Sequence, residues 1–332
     1  MHHALHSLAL PVLLVAACTP DTAPQGSTPS GVKTYKVAMI PKGTVHEFWK
    51  SVEKGARRAD AELADLEIIW KGPAGEGDAG AQISVLETFL AERYSGILLS
   101  PLDAKALVKP VRSAVAGGTP VVLFDSGLAD DNAPFASYVA TDNAEGGRLA
   151  AREMARLLGG KGRVWVFPYM VGSESTEQRE RAFLDEIGQW PDIRVVLSDR
   201  YGGPDESKAV EVAESVLATM GGELDGVFCS NEPCTSGFLT VLERDTRKLH
   251  ERMIVLGFDS GTKIVAGLKQ QLLEGTVVQD PVGMGYESVK IMHAVLSGKT
   301  VERRVRTRQA LATPTNMDTP EIRALLFPLE QP

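Results

Sequence analysis

Cysteine and histidine are scarce in this 332-residue chain, with three Cys and six His. The one metal-like string, "HEFWK" at residues 46–50, falls short of H-E-x-x-H because the second His position holds Lys50, whose cation would repel Zn²⁺. No metal and no cofactor is expected. Basic residues are outnumbered, 35 Lys and Arg against 43 Asp and Glu, for a formal charge of −8, and no Lys/Arg cluster tracks a single face. Nucleic acid is therefore not an expected partner. A P-loop and a G-x-S-x-G elbow are both missing, and the nearest Ser, His and Asp residues have no recognisable arrangement, so no enzyme is expected. "GEGDAG", residues 75–80, does fit G-x-G-x-x-G. However, four residues separate it from the apolar run before it, and Glu76 and Asp78 would sit against a pyrophosphate. Dinucleotide binding is set aside.

Long hydrophobic runs are also missing, since the opening stretch "MHHALHSLALPVLLVAAC" is too short to span a bilayer comfortably. It ends in Val15-Ala16-Ala17-Cys18, the bulky-small-small-Cys pattern of a lipobox, in which small residues fit the peptidase and the thiol takes the lipid. A signal peptide over 1–17 and a lipidated Cys18 are expected. Residues 18–32, rich in Pro, Thr, Ser and Gly, read as a tether. Cys229 and Cys234 read as small buried hydrophobes, with a local disulfide as the alternative in an exported chain.

From residue 35 onward, short β-branched runs alternate with stretches of helical periodicity. Ten runs read as strands: "YKVAMI", "LEIIW", "GILLS", "PVVLF", "SYVA", "RVWVFP", "IRVVL", "DGVFC", "MIVLGF" and "TVVQ". Val52, Ala56, Ala59 and Leu63 make one helical stripe between them, and Val210, Ala213, Val216 and Leu217 another. Alternating βα units predict parallel sheets covered by helices on both faces, and ten strands at this length predict two doubly wound α/β domains. "LGGKGR", residues 158–163, is the natural break on pattern alone. Two such domains with facing strand ends would enclose a ligand cleft.

The residues at or just past the predicted strand ends are polar: His46, Ser100, Asp125, Thr141, Asn231, Asp259 and Gln279. Neutral and anionic hydrogen-bonding groups of this kind, with an Arg fork, suit the vicinal hydroxyls of an uncharged polyol, whereas a phosphate would want more cations or glycines. Each residue has a plainer alternative. Asn231 and Asp259 could be helix N-caps, and Arg179, with acidic neighbours, could be an exposed ion pair. Asp142 is assigned to structure because Glu145 follows it at capping-box spacing. Phe48 is in phase with the first helical stripe, whereas Trp49 is read as turned about 100° from it and free to present a flat face to a sugar ring.

On "HEFWKSVEKGA", "LLSPLDAKAL", "PVVLFDSG", "YVATDNAEGG", "STEQRERAF", "VFCSNE", "VLGFDSG" and "GTVVQDP", in this order, the chain resembles the type I periplasmic sugar-binding proteins of ABC importers, nearest the ribose-binding branch. The resemblance spans about residues 35–313. It implies a sugar sandwiched by Phe48 and Trp49, its hydroxyls held by Asp125, Arg179, Asn231, Asp259 and Gln279, with Thr141 and Gln279 at crossovers. It replaces the break at 158–163 with domains of 33–141 plus 280–307 and 142–279 plus 308–332, joined by a three-segment hinge. The partners it implies are a monosaccharide or polyol, an ABC permease and its ATPase, with the chain a monomer held outside the cytoplasm by its lipid; presentation of a ligand to a chemoreceptor or histidine kinase is the alternative. Ser126 stands where ribose binders carry Arg, and His46 where they carry Asn, which points away from ribose itself.

Overall fold

The computed structural model describes residues 1–2 and 34–330; the lipobox, Cys18 and the tether lie outside these. All ten predicted runs are strands. The first sheet contains β1 (Tyr35–Ile40), β2 (Leu66–Trp70), β3 (Gly96–Leu99), β4 (Val121–Phe124) and β5 (Ser137–Thr141). The second contains β6 (Lys161–Phe167), β7 (Asp192–Leu197), β8 (Gly226–Cys229), β9 (Ile254–Phe258) and β10 (Gly275–Gln279). Two further strands, β11 (Arg304–Thr307) and β12 (Gln309–Ala312), complete six-stranded sheets of order β11-β5-β4-β3-β1-β2 and β12-β10-β9-β8-β6-β7. The second order repeats the first, strand for strand. Each has its topological switch between the first and third strands of its lobe, the place where open α/β sheets hold ligands.

Only Arg308 separates β11 from β12, yet β11 runs parallel to β5 and β12 antiparallel to β10. A segment running straight on can do this only if it leaves the first sheet at the strands' carboxyl ends and enters the second at its own. The two sets of carboxyl ends therefore face each other. The all-parallel expectation is corrected at this one edge strand. The sequence around β11 and β12, "RVRTRQALA", is charged on alternate positions and carries no buried-strand signature.

Helices α1 (Glu47–Glu62) and α9 (Pro281–Leu296) pack on one face of the first sheet, while α2 (Ala79–Ala91) and α3 (Val108–Ala116) cover the other. In the second lobe α4 (Asn143–Leu157) and α5 (Glu174–Ile187) share one face. The opposite face takes α6 (Glu206–Met220), α7 (Glu232–Arg244), α8 (Thr262–Lys269) and α10 (Pro320–Leu326). The chain crosses between sheets after β5, after β10 and after β11. The pattern-based break at 158–163 is thus wrong, because α4, which precedes it, already belongs to the second lobe. Strand spacing cannot reveal which sheet a helix covers. Asp142 caps α4 by accepting from Glu145 N–H at 3.0 Å, but the capping box is half-made: Glu145 turns its carboxylate to Arg148 and Arg152.

Two helix pairs approach more closely than side chains normally allow. A Cβ on Gly55 would lie 1.9 Å from Val282 O, and one on Gly285 would lie 2.0 Å from Val52 O, so α1 and α9 meet through reciprocal glycines. Gly147 of α4 does the same for α5, where a Cβ would come within 2.1 Å of Arg179 O. That contact sets where Arg179 sits. Gly147→Ala must push α5 outward and is expected to cost about 1–3 kcal/mol, the usual range for overpacking, while the open position Gly75→Ala stays within roughly 0.5 kcal/mol of the parent. Urea denaturation of the two variants checks this; equal midpoints would show that the helix contact is slack.

Candidate functional site

The carboxyl ends of the two sheets bring their polar residues together. Asp125 directly follows β4, and Asp259 follows β9, its counterpart in the repeated order. Both have left-handed backbones, φ +60° and +73°, a conformation that costs a non-glycine residue on the order of 1 kcal/mol or more. Their amides are held alike, Asp125 N–H donating to Val139 O and Asp259 N–H to Val277 O. The two carboxylates therefore project from equivalent strained turns, one per lobe, into one enclosure.

Asp125 accepts from Ser100 Oγ at 3.0 Å and pairs with Lys42 Nζ at 3.0 Å. Lys42, two residues past β1, is 3 % exposed and also donates across the cleft to Ser173 and Ser175 at 3.2 and 3.0 Å. Asp259 accepts from Gln279 Nε2 and from Glu232 N–H, with the Arg179 guanidinium 3.8 Å away. Burial pushes its carboxyl up, more than Arg179, Gln279 and the Glu232 amide hold it down. Thr141 donates to Gln279 Oε1, joining the ends of β5 and β10. Arg179 is no exposed ion pair: buried, it lies 3.7 Å over the Phe258 ring and donates to Asn143 Oδ1 and Ser230 O. Asn231 keeps the plainer role as well, capping α7 through Cys234 N–H at 3.2 Å while lining the enclosure. Cys229 and Cys234 are both free thiols in the core of the second lobe.

The aromatic pair divides its work. Trp49 is 3 % exposed and packs edge-on to Phe48 and Phe124 at 4.9 and 6.2 Å, in the core under the first sheet. The expected free face is corrected. Seven residues separate Trp49 from Ala56, which places them about 20° apart round the helix, so Trp49 was in the stripe all along. Its indole edge still reaches the site, donating to Glu76 Oε1 at 2.6 Å. Phe48 is half-buried and lines the enclosure.

Glu76 was not foreseen as a site residue. The "GEGDAG" loop delivers it, 5 % exposed, to a point where it also pairs with His46 Nδ1 at 2.7 Å and accepts from Tyr169 of the opposite lobe at 2.7 Å. Burial alone would raise its carboxyl, but the hydrogen bond and charge of His46, with Lys42 and Trp49, hold it below its ordinary value. Burial likewise pulls His46 down, and Glu76, Glu232 and Asp259 more than reverse that. Glu232, the first residue of α7, is a second surprise: it accepts from the N–H groups of Glu47 and Phe48 at 3.1 and 2.9 Å, satisfying the start of α1 from the other lobe. Burial pushes its carboxyl up to about 7. Glu47 in turn accepts from Thr262 N–H, the start of α8. Both signals were in the sequence: an acid within a Gly-rich loop, and an acid directly after a strand-end Asn.

Within the enclosure about 30 Å³ is open to the centre of a water molecule, because the facing side chains hydrogen-bond one another. Among the described residues no group of three or more His, Cys, Asp and Glu could hold a metal. No described helix is long and apolar enough to cross a membrane.

The description "periplasmic binding protein domain" matches residues 37–300. The chain belongs to that family, in its type I sugar-binding form. A carbohydrate transporter solute-binding protein from Agrobacterium radiobacter, solved with D-arabinose, superposes with a TM-score of 0.84 at 33 % identity, covering 89 % of this chain and 100 % of its own. An ABC transporter solute-binding protein from Agrobacterium vitis with bound D-fucose gives 0.83 at 31 %, covering 88 % and 99 %. The ribose import binding protein of Bacillus subtilis is 26 % identical over 92 % of this chain and 97 % of its own. These are binding proteins and not enzymes, and the family works outside the cytoplasm.

For this periplasmic binding protein the sign of the pH dependence follows from the raised groups. Glu232, and Glu180, which burial also pushes up to about 7, hold protons more tightly folded than at the ordinary carboxyl value of 4.5. The stability these two carboxyls contribute is therefore fully present below about pH 4.5 and is lost as pH rises through 7, and the raised His46 adds a loss of the same sign above 6.5. The melting temperature should be higher at pH 5.5 than at pH 8, and Glu232→Gln should narrow the gap. An unchanged gap would remove Glu232 from the account.

Proposed function

We propose that this protein captures a monosaccharide or similar polyol between its two lobes and delivers it to an ABC permease and its ATPase. The observation that carries the reading is the pair of strained aspartates, Asp125 and Asp259, held at equivalent strand ends in opposite lobes and facing one enclosure. Strain of this kind is retained where surrounding structure imposes it for a purpose. Carboxylates with Arg179, Gln279, Asn231 and His46 offer the acceptors and donors that vicinal hydroxyls need, and Phe48 offers an apolar face for ring C–H groups. D-arabinose and D-fucose, bound by the two Agrobacterium proteins, are first candidates.

On this reading the lobes are 33–141 plus 280–307 and 142–279 plus 308–332, and the crossovers near Thr141, Gln279 and Thr307 form the hinge. Hydroxyls entering the site exchange for the hydrogen bonds now made among its side chains, and ligand shifts the balance between open and closed lobes by its preference for the closed one. Val45 and Val171, each exposed on a loop past a strand end, are apolar points available to a permease. Residues 1–17 would be a signal peptide and Cys18 the lipid anchor of a monomer.

Calorimetry of the chain starting after Cys18, against D-arabinose, D-fucose, D-ribose, D-allose and myo-inositol, tests the site. Asp125→Ala and Asp259→Ala should each weaken binding at least roughly 100-fold, about 3 kcal/mol, with the fold retained; parental affinity in both would sink the assignment. Separately, Cys18→Ser should move the full-length protein from the membrane fraction to the soluble fraction, and an unmoved protein would exclude the lipid anchor.

A further inference from the structure

The largest chamber at this site lies beside the polar cluster. About 370 Å³ is open between the start of α1, α8, the start of α9 and the C-terminal segment 325–330. That falls in the range of roughly 300–1,000 Å³ typical of small-molecule sites, whereas the 30 Å³ at the cluster itself has room for roughly two waters. Its walls are mainly apolar: Phe48, Val265, Ala266, Leu325, Leu326 and Phe327. Phe48, Asp259 and Gln279 line both spaces, so the chamber adjoins the polar cluster.

The outer wall is tied to both lobes. Ser260 Oγ, just past β9, donates to Leu326 O, and Lys54 Nζ of α1 donates to Leu329 O at 2.9 Å. Glu47 reaches from α1 to the first amide of α8 at the chamber's edge. The chamber is thus complete only when the lobes are together, the same condition that completes the polar cluster. A group extending toward it from a hydroxyl held at Asp259 or Gln279 would lie against the apolar walls, with Ser51, Thr262 and Lys269 at other parts of the lining, and apolar surface placed on those walls would leave water.

We infer that this site takes a substituted polyol, one hydroxyl of which carries an aryl, alkyl or comparable apolar group seated in the chamber. This rests on the sugar reading above and narrows its substrate class.

The test uses whichever parent sugar binds in calorimetry, with its mono-O-benzyl derivatives, one at each hydroxyl including the anomeric position. One of the series should bind at least tenfold more tightly than the parent sugar, the effect of burying about 60 Å² or more of apolar surface, and the others more weakly. Ala266→Trp, which fills the chamber away from the polar cluster, should abolish that gain and leave the parent sugar's affinity within about twofold, a result that also reports an intact fold. Phe327→Ala, which removes a wall, should reduce the gain as well. If parent sugars bind and no derivative gains, or if the gain survives both variants, the inference is wrong and the sugar reading stands. If neither parents nor derivatives bind, both fall.

Discussion

The carboxylates gathered between the lobes, among them those of Glu76, Asp125, Glu232 and Asp259, constrain everything around them. A buried charge without partners costs several kcal/mol, so each must find donors locally or lose its charge. Lys42, Arg179 and His46 supply side-chain partners, and backbone amides at helix starts others. Neither lobe is sufficient alone. Glu76 takes a proton donor from Tyr169, and Glu232 takes two amides from the start of α1, each across the cleft. The same bonds that hold the lobes together are therefore those that make a desolvated, anion-rich site tolerable.

Backbone geometry places these groups before any side chain chooses a rotamer. The duplicated strand order puts Asp125 and Asp259 at matching corners, and the short step through Arg308 from β11 to β12 fixes the two sets of strand ends face to face. Gly147 matters for the same reason at one remove, since only a residue without Cβ lets α5 approach α4 closely enough for Arg179 to lie over Phe258 and point at Asp259. A substitution far from any ligand can thus move a binding group.

Sequence pattern says least about a residue that does two things. Asn231 is a helix cap and a cavity wall at once, and Trp49 is core on its face and site at its indole edge. Periodicity distinguishes inside from outside a helix, but it does not say which end of a large side chain emerges. An acidic residue in a loop or a helix's first turn is ordinarily solvated; what makes Glu76 and Glu232 unusual is the opposite lobe.

From the sequence alone came the ten β-branched runs, the helical stripes between them and the polar character of the strand ends, because burial on both faces and the turn chemistry at strand ends act over a few residues and leave local marks. The family resemblance added an order of crossovers that spacing could not supply. Only the tertiary structure decided which acids meet which donors, that Lys42 serves Asp125 and Arg179 serves Asp259, and that an apolar chamber opens beside them. Those outcomes depend on groups far apart in the chain, 185 residues for Glu47 and Glu232 and 215 for Glu47 and Thr262, meeting in a space with little water to replace a missing partner.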